Sequence, residues 1–193
     1  MVRQDSWILR FFQKSAFPEA KKSDLLKKLQ DKHSFIENVE VELCFHVEIT
    51  SELSEAELNI FQWILKSPLQ PQSLLNSTSL KEGNGNLLVE ICHRFNFSTS
   101  NSTNAVSICQ NLGLKQVIRS ETSRRYWIKS HSTHGFSKIQ EQEIISMIHD
   151  RMNECRYTEE NIPKKSFNEK LLKREKIYNV DVLKLKAKKL FKI

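Results

Sequence analysis

Seven polar side chains crowd the segment 94–104, and their types could bind an anion. They are Arg94, Asn96, Ser98, Thr99, Ser102, Thr103 and Asn104. The segment leads into a predicted helix, whose first backbone amides would attract a phosphate or a carboxylate. An arginine there would add charge-assisted hydrogen bonds. The alternative is structural, because Ser and Thr also cap helices and shape turns.

A second set of charged side chains lies on the following predicted strand. Arg119, Glu121 and Arg125 share one face of it, because alternate residues of a strand point to the same side. Arg124 and Tyr126 belong to the same run. We interpret this run as a surface that docks another domain. The alternative is an exposed charged face whose ion pairs each contribute about 0–1 kcal/mol.

No set of residues in the sequence is arranged for catalysis. The pair Gly83-x-Gly85 is not followed by Lys-Ser/Thr, as expected of a loop that holds ATP phosphates. No cysteine has the context of a glutaminase nucleophile, and no acidic cluster suits Mg²⁺ beside a phosphate. The four cysteines and six histidines lack metal-ligand spacing. We therefore predict no catalytic, cofactor or metal residues in this chain, and unpaired thiols that are partly buried.

Apolar periodicity predicts two successive β-α-β-α halves, at about 5–67 and 87–157, with a connection over 68–86. In the first half, residues 6–14 fit a buried strand, and a helix follows Pro18. Strict alternation over 39–49 predicts a strand with one buried and one solvated face. Ser54 and Glu57 form a capping box that begins the next helix.

The second half repeats this order with less regular patterns. A strand is predicted over 87–97, a helix over 102–112 and a strand over 115–129. The last helix is predicted over 137–157, beginning with a capping box of Ser137 and Gln140.

Composition indicates a globular, cytoplasmic protein with a basic C-terminal tail. The hydrophobic fraction is 39% and the charged fraction is 27%. No stretch approaches the roughly 20 apolar residues of a membrane helix, and the N-terminus lacks a signal-peptide core. The net charge is +7, but residues 163–193 carry eleven Lys or Arg against three acids, so the rest sums to −1. We predict that the tail, residues 161–193, is helical or disordered, and few aromatic side chains accompany its charge for stacking on nucleic acid.

The run RFNFSTSNSTNAVSICQNLGLKQVIRSETSRRY, residues 94–126, resembles a family motif. The motif is R-x-N-F-S-T-x-x-S-T-N-x-V-S-x-C…G-L…V-x-R-x-E-x-x-R-R-Y of the N-terminal domain of the large, eukaryotic-type phosphoribosylformylglycinamidine synthases. VEVELCFHVEIT, from Val39, is similar to the family's V-E-T-E-L-C-Y-x-V. The chain departs from the family at Cys92-His93, where Gly-Pro precedes the arginine in the family.

The resemblance implies an α+β domain in which helices cover an antiparallel sheet, similar to two fused copies of the small S subunit of the bacterial split enzyme. It also implies a scaffold that packs against synthetase and glutaminase domains, in cis or in trans. In the full family, ATP and Mg²⁺ serve a reaction that converts formylglycinamide ribonucleotide and glutamine to the amidine. A fragment of such an enzyme should expose an apolar face where the other domains would sit.

Three interpretations remain open from the sequence. The chain is a fragment or a free-standing relative of this domain, and it docks on the catalytic domains. Alternatively, it is a small interaction protein that kept the fold and binds a partner or a polyanion through its basic tail. An autonomous enzyme is the weakest interpretation, because no nucleophile or metal constellation can be assembled for it.

Overall fold

The computed structural model describes residues 6–14, 17–66, 74–80, 83, 85–95, 98–131 and 135–167. Its elements are, in order, β1 (Trp7–Gln13), α1 (Glu19–Gln30), β2 (Ile36–Ile49), α2 (Glu55–Leu65), β3 (Leu74–Leu75), β4 (Leu87–His93), α3 (Ser100–Asn111), β5 (Val117–Ser130), α4 (Lys138–Ile148) and β6 (Glu154–Tyr157). The predicted α+β class is confirmed. Most of the predicted basic tail, residues 168–193, lies outside the described residues.

The strands of the described residues form an antiparallel sheet in the order β3-β1-β2-β5-β4-β6. Its centre is the pair of long strands β2 and β5, which align from Ile36↔Ser130 to Ile49↔Val117. Strand β1 flanks β2 on one side, and β4 flanks β5 on the other. Side chains that are far apart in sequence therefore meet on one surface of the sheet.

The helices cover one face of the sheet and form its apolar core with it. Near one end, Val39 packs with Leu29 of α1 and Ile144 of α4. Near the other end, Phe61 of α2 and Cys109 of α3 pack in a second cluster. All five side chains are at most 1% exposed. Burial of this area is the main source of stability, at about 25 cal/mol per Å² of apolar surface.

The opposite side of β2 is also buried, so the prediction of one solvated face was wrong. Its side chains Glu42, Cys44, His46 and Glu48 are at most 3% exposed. Two distant segments cover them: the backbone amide of Ser79 donates to Glu42 at 2.8 Å, and that of Phe167 donates to Glu48 at 3.3 Å. We call this surface, the side of the sheet that faces away from the helices, the polar face.

The connection predicted over 68–86 carries a short strand that the sequence did not indicate. Strand β3 pairs antiparallel with the end of β1 through Phe12↔Leu75 and Gln13↔Leu74. After it, Thr78 and Ser79 reach the polar face, where both hydroxyls donate to Glu42 at 2.7 Å. Within this connection, residues 68–73, 81–82 and 84 lie outside the described residues.

The last predicted helix, over 137–157, is too long by nine residues. Helix α4 ends at Ile148, and His149 has an extended backbone with φ −132° and ψ 153°. Asp150 then forms a turn, because its carboxylate accepts hydrogen bonds from the Met152 amide at 2.8 Å and the Asn153 side chain at 2.9 Å. The chain continues as β6, which pairs with β4. The pairing satisfies backbone groups of β4 that a longer helix would have left exposed.

Replacing Ser137 by alanine is expected to lower the free energy of unfolding by about 1 kcal/mol. The predicted capping box is confirmed: the Ser137 hydroxyl accepts from the Gln140 amide at 3.3 Å, and the Gln140 side chain accepts from the Ser137 amide at 2.9 Å. Urea unfolding measures the loss. The control Ser107→Ala, at an exposed position of α3, should change stability by less than about 0.5 kcal/mol. Equal losses in the two variants would contradict the capping role.

Candidate functional site

The start of α3 binds a carboxylate, and that carboxylate belongs to the chain itself. Thr99 is the N-cap, and its hydroxyl accepts from the Ser102 amide at 3.0 Å while donating to Glu121 at 2.8 Å. The Thr99 amide also donates to Glu121, at 3.3 Å. Ser102 is 2% exposed, and its hydroxyl accepts from the Ser120 amide at 3.1 Å. Helix-start groups thus hold Glu121 against the sheet.

Arg119 pairs with the Glu121 carboxylate from two residues earlier on β5, on the same face of the strand. Its Nε lies 2.9 Å from Glu121, and its guanidinium stacks over the ring of Phe167 at 4.4 Å from the ring centroid. Glu121 is 1% exposed, so this part of the predicted charged surface is internal. The alternative of ordinary exposed ion pairs does not describe it.

The remaining candidates of the first set lie at the surface. The Arg94 guanidinium donates to the carbonyl of Arg151 at 2.6 Å, which ties this exposed side chain to the turn before β6. The Thr103 hydroxyl donates to the Thr99 carbonyl at 3.2 Å, and Ser98 and Asn104 are exposed. Asn96 lies outside the described residues. The six described residues of this set are therefore divided between the polar face and the solvent.

Arg125 is at the centre of the polar face, and Arg124 is on the other side of β5. The Arg125 guanidinium lies 2.8 Å from Glu42 and 3.3 Å from Glu90. Arg124 instead pairs with Glu154 of β6. The predicted sharing of one face by Arg119, Glu121 and Arg125 agrees with the strand register.

His46 and Glu90 form a buried ion pair next to this arginine. Nε2 of His46 lies 2.7 Å from Oε1 of Glu90 and 3.0 Å from the Ser123 hydroxyl. Burial alone would lower the pKa of His46, but the neighbouring Cys44 and Glu90 outweigh it and raise the pKa to about 9. Burial alone would raise the pKa of Glu90, but His46, Arg10 and Ser123 outweigh it and lower the pKa to about 2. The pair is therefore charged near neutral pH.

The four cysteines are free thiols, as predicted. Burial raises the pKa of Cys109 to about 11 and also raises those of Cys92 and Cys155. Cys44 differs in its surroundings: its sulfur, a ring nitrogen of His46 and a carboxylate oxygen of Glu90 all lie within 4.8 Å of one another. We call these three residues the Cys44–His46–Glu90 cluster.

Sequence reasoning missed this cluster. The only local signal was Cys-x-His on a predicted strand, which places two ligand types on one face. Glu90 lies on β4, which joins β2 only through β5, so no spacing in the sequence points to it. The prediction of no metal-binding residues considered only spacing along the sequence, and it stays a prediction; the fold brings these three side chains together from separate strands.

An exposed apolar patch lies where α2 and α3 end. It consists of Ile60, Trp63, Ile108 and Leu112, which are 40, 72, 47 and 48% exposed. Ile60, Trp63 and Leu112 line one shallow groove together with Asn59.

None of the helices in the described part of the chain is both long and apolar enough to cross a membrane.

Residues 42–167 match the family described as formylglycinamide ribonucleotide amidotransferase N-terminal. The chain is also similar to proteins named phosphoribosylformylglycinamidine synthase, with 39% identity over 172 residues in Drosophila melanogaster and 38% over 130 residues in Homo sapiens. It is 36% identical over 157 residues to an Arabidopsis thaliana protein named as a probable chloroplastic/mitochondrial form. These matches cover 87, 66 and 79% of this chain but 13, 10 and 11% of the three relatives.

Proposed function

Because the chain belongs to the formylglycinamide ribonucleotide amidotransferase N-terminal family, we propose that it is the N-terminal scaffold domain of a phosphoribosylformylglycinamidine synthase. It acts in purine biosynthesis by packing against the synthetase and glutaminase domains, in cis or in trans. Those domains hold ATP and Mg²⁺ and convert formylglycinamide ribonucleotide and glutamine to the amidine. A cytoplasmic location is part of this proposal.

The single observation that carries the proposal is the apolar patch. Trp63 is 72% exposed, although an indole buries more apolar area than nearly any other side chain. Exposed apolar side chains gathered in one groove typically mark an interaction site. A domain that corresponds to about a tenth of its relatives' length needs such a surface for the remainder of the enzyme.

The polar face supports a scaffold role. Glu121 occupies the start of α3, and Arg125 is held by Glu42 and Glu90. Groups that are committed to one another inside the fold order the sheet and do not turn toward a substrate. Asn104 is exposed on α3 one turn before Ile108, and it forms part of a polar rim to the docking surface, as is common around apolar interface centres.

The proposed domain, residues 1–160, consists of two halves joined by residues 68–86. Its support is the symmetric placement of β1-β2 and β4-β5 about the central β2–β5 pair. Each half contributes two helices to the same side of that sheet. Residues 161–193 are proposed as an extension beyond the domain, and residues up to Phe167 return to the polar face.

The chain is expected to bind a Drosophila melanogaster enzyme from which the matched N-terminal segment has been deleted, and to restore its amidine-forming activity. Replacing Trp63 by serine should weaken this binding at least about 30-fold, because a central tryptophan commonly contributes about 2 kcal/mol or more to an interface. Titration calorimetry measures the binding, and a coupled ATP assay measures the activity.

Ile139→Ser is the matched control. Ile139 is 71% exposed but lies on α4, away from the groove, so its replacement should leave the affinity within about twofold of the unmodified chain. Failure of the folded, unmodified chain to bind or to restore activity would overturn the docking proposal. If both variants weakened binding equally, the apolar patch would not be the site of contact.

A further inference from the structure

The Cys44–His46–Glu90 cluster combines ligand types that a borderline metal ion prefers. Its thiol, imidazole and carboxylate lie within 4.8 Å of one another, and Cys44 and His46 are fully buried. Zn²⁺ binds these three groups at about 2.0–2.3 Å, so small side-chain movements would bring them to one ion.

A second observation is an unsatisfied nitrogen in the same cluster. Nε2 of His46 contacts Glu90 and Ser123, but buried Nδ1 has no hydrogen-bond partner among the described residues. Leaving such a buried polar group unpaired is unfavourable, because it loses its hydrogen bonds to water without replacing them. In a neutral ring that carries its proton on Nε2, the lone pair of Nδ1 has no hydrogen-bond donor and is available to a metal ion.

The carboxylate of Glu90 is oriented by groups around it. Its Oε2 lies 2.9 Å from Arg10 and 3.3 Å from Arg125, whereas Oε1 faces His46 and accepts from the Ser123 hydroxyl at 2.6 Å. Metal-binding carboxylates are commonly held by outer hydrogen bonds of this kind. The two arginines fix Oε2 and leave Oε1 directed at the cluster.

The charges of the polar face favour one additional cation. Among the described residues, the charged side chains around the cluster are three guanidinium groups and four carboxylates: Arg10, Arg119 and Arg125 against Glu42, Glu48, Glu90 and Glu121. With His46 neutral, this set has a net charge of −1. A proton on His46 adds +1 and brings the net charge to zero. A divalent ion together with the Cys44 thiolate also adds +1, so it brings the net charge to zero with His46 neutral.

We propose that Cys44, His46 and Glu90 bind one Zn²⁺ ion that fixes β2 to β4 across β5. Binding releases the thiol proton of Cys44 and the ring proton of His46, since zinc is held by a thiolate and a neutral imidazole. Because these ligands are buried, the ion enters as the chain folds. The ion has a structural role, and it joins strands from the two halves of the domain.

The test refolds the purified, chelator-stripped chain with Co²⁺ in place of Zn²⁺. One equivalent of cobalt should bind and produce thiolate-to-cobalt charge-transfer absorption. Zinc should compete it away and remain at one ion per chain after gel filtration, as measured by mass spectrometry of the metal. Cys44→Ser should lose the charge-transfer absorption, and His46→Gln should lower the affinity for zinc at least tenfold.

Cys109→Ser is the control, since Cys109 is equally buried but lies in the apolar cluster on the helix side. This variant should keep both the absorption and the bound ion. Substoichiometric metal in the unmodified chain, or charge-transfer absorption that persists in Cys44→Ser, would overturn the proposal. If Cys44→Ser does not fold, the spectrum of the unmodified chain with cobalt tests the proposal instead. A cobalt complex without thiolate-to-cobalt absorption would exclude Cys44 as a ligand and overturn the proposal.

Discussion

Replacing Glu90 by glutamine is expected to lower the free energy of unfolding by about 3–5 kcal/mol in the metal-free protein. Glutamine keeps the shape and can still accept a hydrogen bond, but it removes the charge that faces three cationic groups. These are Arg10 at 2.9 Å, Arg125 at 3.3 Å and His46 at 2.7 Å. Glu90 is 9% exposed, so water cannot replace the lost interaction.

Equilibrium unfolding in urea with a chelator present measures this loss. The matched control is Glu37→Gln, which breaks the surface pair with Lys129, where both side chains are more than a third exposed. Surface pairs contribute about 0–1 kcal/mol, so the control should remain near the unmodified protein. A loss for Glu90→Gln no larger than that of the control would show that the polar face is hydrated in solution.

Stability of the metal-free protein should fall on the alkaline side by about 3 kcal/mol as the pH rises from 6.5 through 9. The pKa of His46 is raised to about 9 from 6.5, so between these values the folded chain holds a proton that the unfolded chain has lost. Unfolding then releases a proton, and rising pH favours it. The stabilisation is fully present below pH 6.5.

On the acidic side, the pKa of Glu90 is lowered to about 2 from 4.5. Its stabilisation is present above pH 4.5 and is lost as the pH falls through 2. The two shifts describe largely one interaction, so their energies are not added. Chelated protein should therefore be most stable between about pH 4.5 and 6.5.

The pH profile depends on every charged or titratable group around the imidazole. Among the described residues they include Cys44 on β2, Arg10 on β1, Glu121 on β5, Glu90 on β4 and Tyr157 on β6. His46→Gln removes the titrating ring and should flatten the decline between pH 6.5 and 9. Urea midpoints measured across this range test the assignment, and a decline of equal size in the variant would assign the titration to another group.

Local sequence patterns determined most of the elements and the family. Alternation over 39–49 predicted β2, and the boxes at Ser54 and Ser137 fixed where α2 and α4 begin. These features depend on residues within a few positions of one another, so they can be read directly from the chain. The run 94–126 likewise indicated the family that the matches establish.

Element ends were less predictable because competing structures decide them. The apolar residues that follow Ile148 are compatible with a longer helix, but Asp150 forms a turn and β6 gains backbone pairing with β4. Such pairing depends on where β4 lies after folding. The sequence near residue 150 contains the turn signal of Asp150, but the strand that β6 pairs with, β4, lies about 60 residues earlier.

The polar face was decided by tertiary structure. Alternation states which side chains of β2 share a side, but it cannot state whether water or protein covers that side. Thr78, Ser79 and Phe167 cover it from segments about 35 and 120 positions away. The meeting of Cys44, His46 and Glu90 has the same origin, because strands from separate parts of the chain become neighbours only when the whole sheet forms.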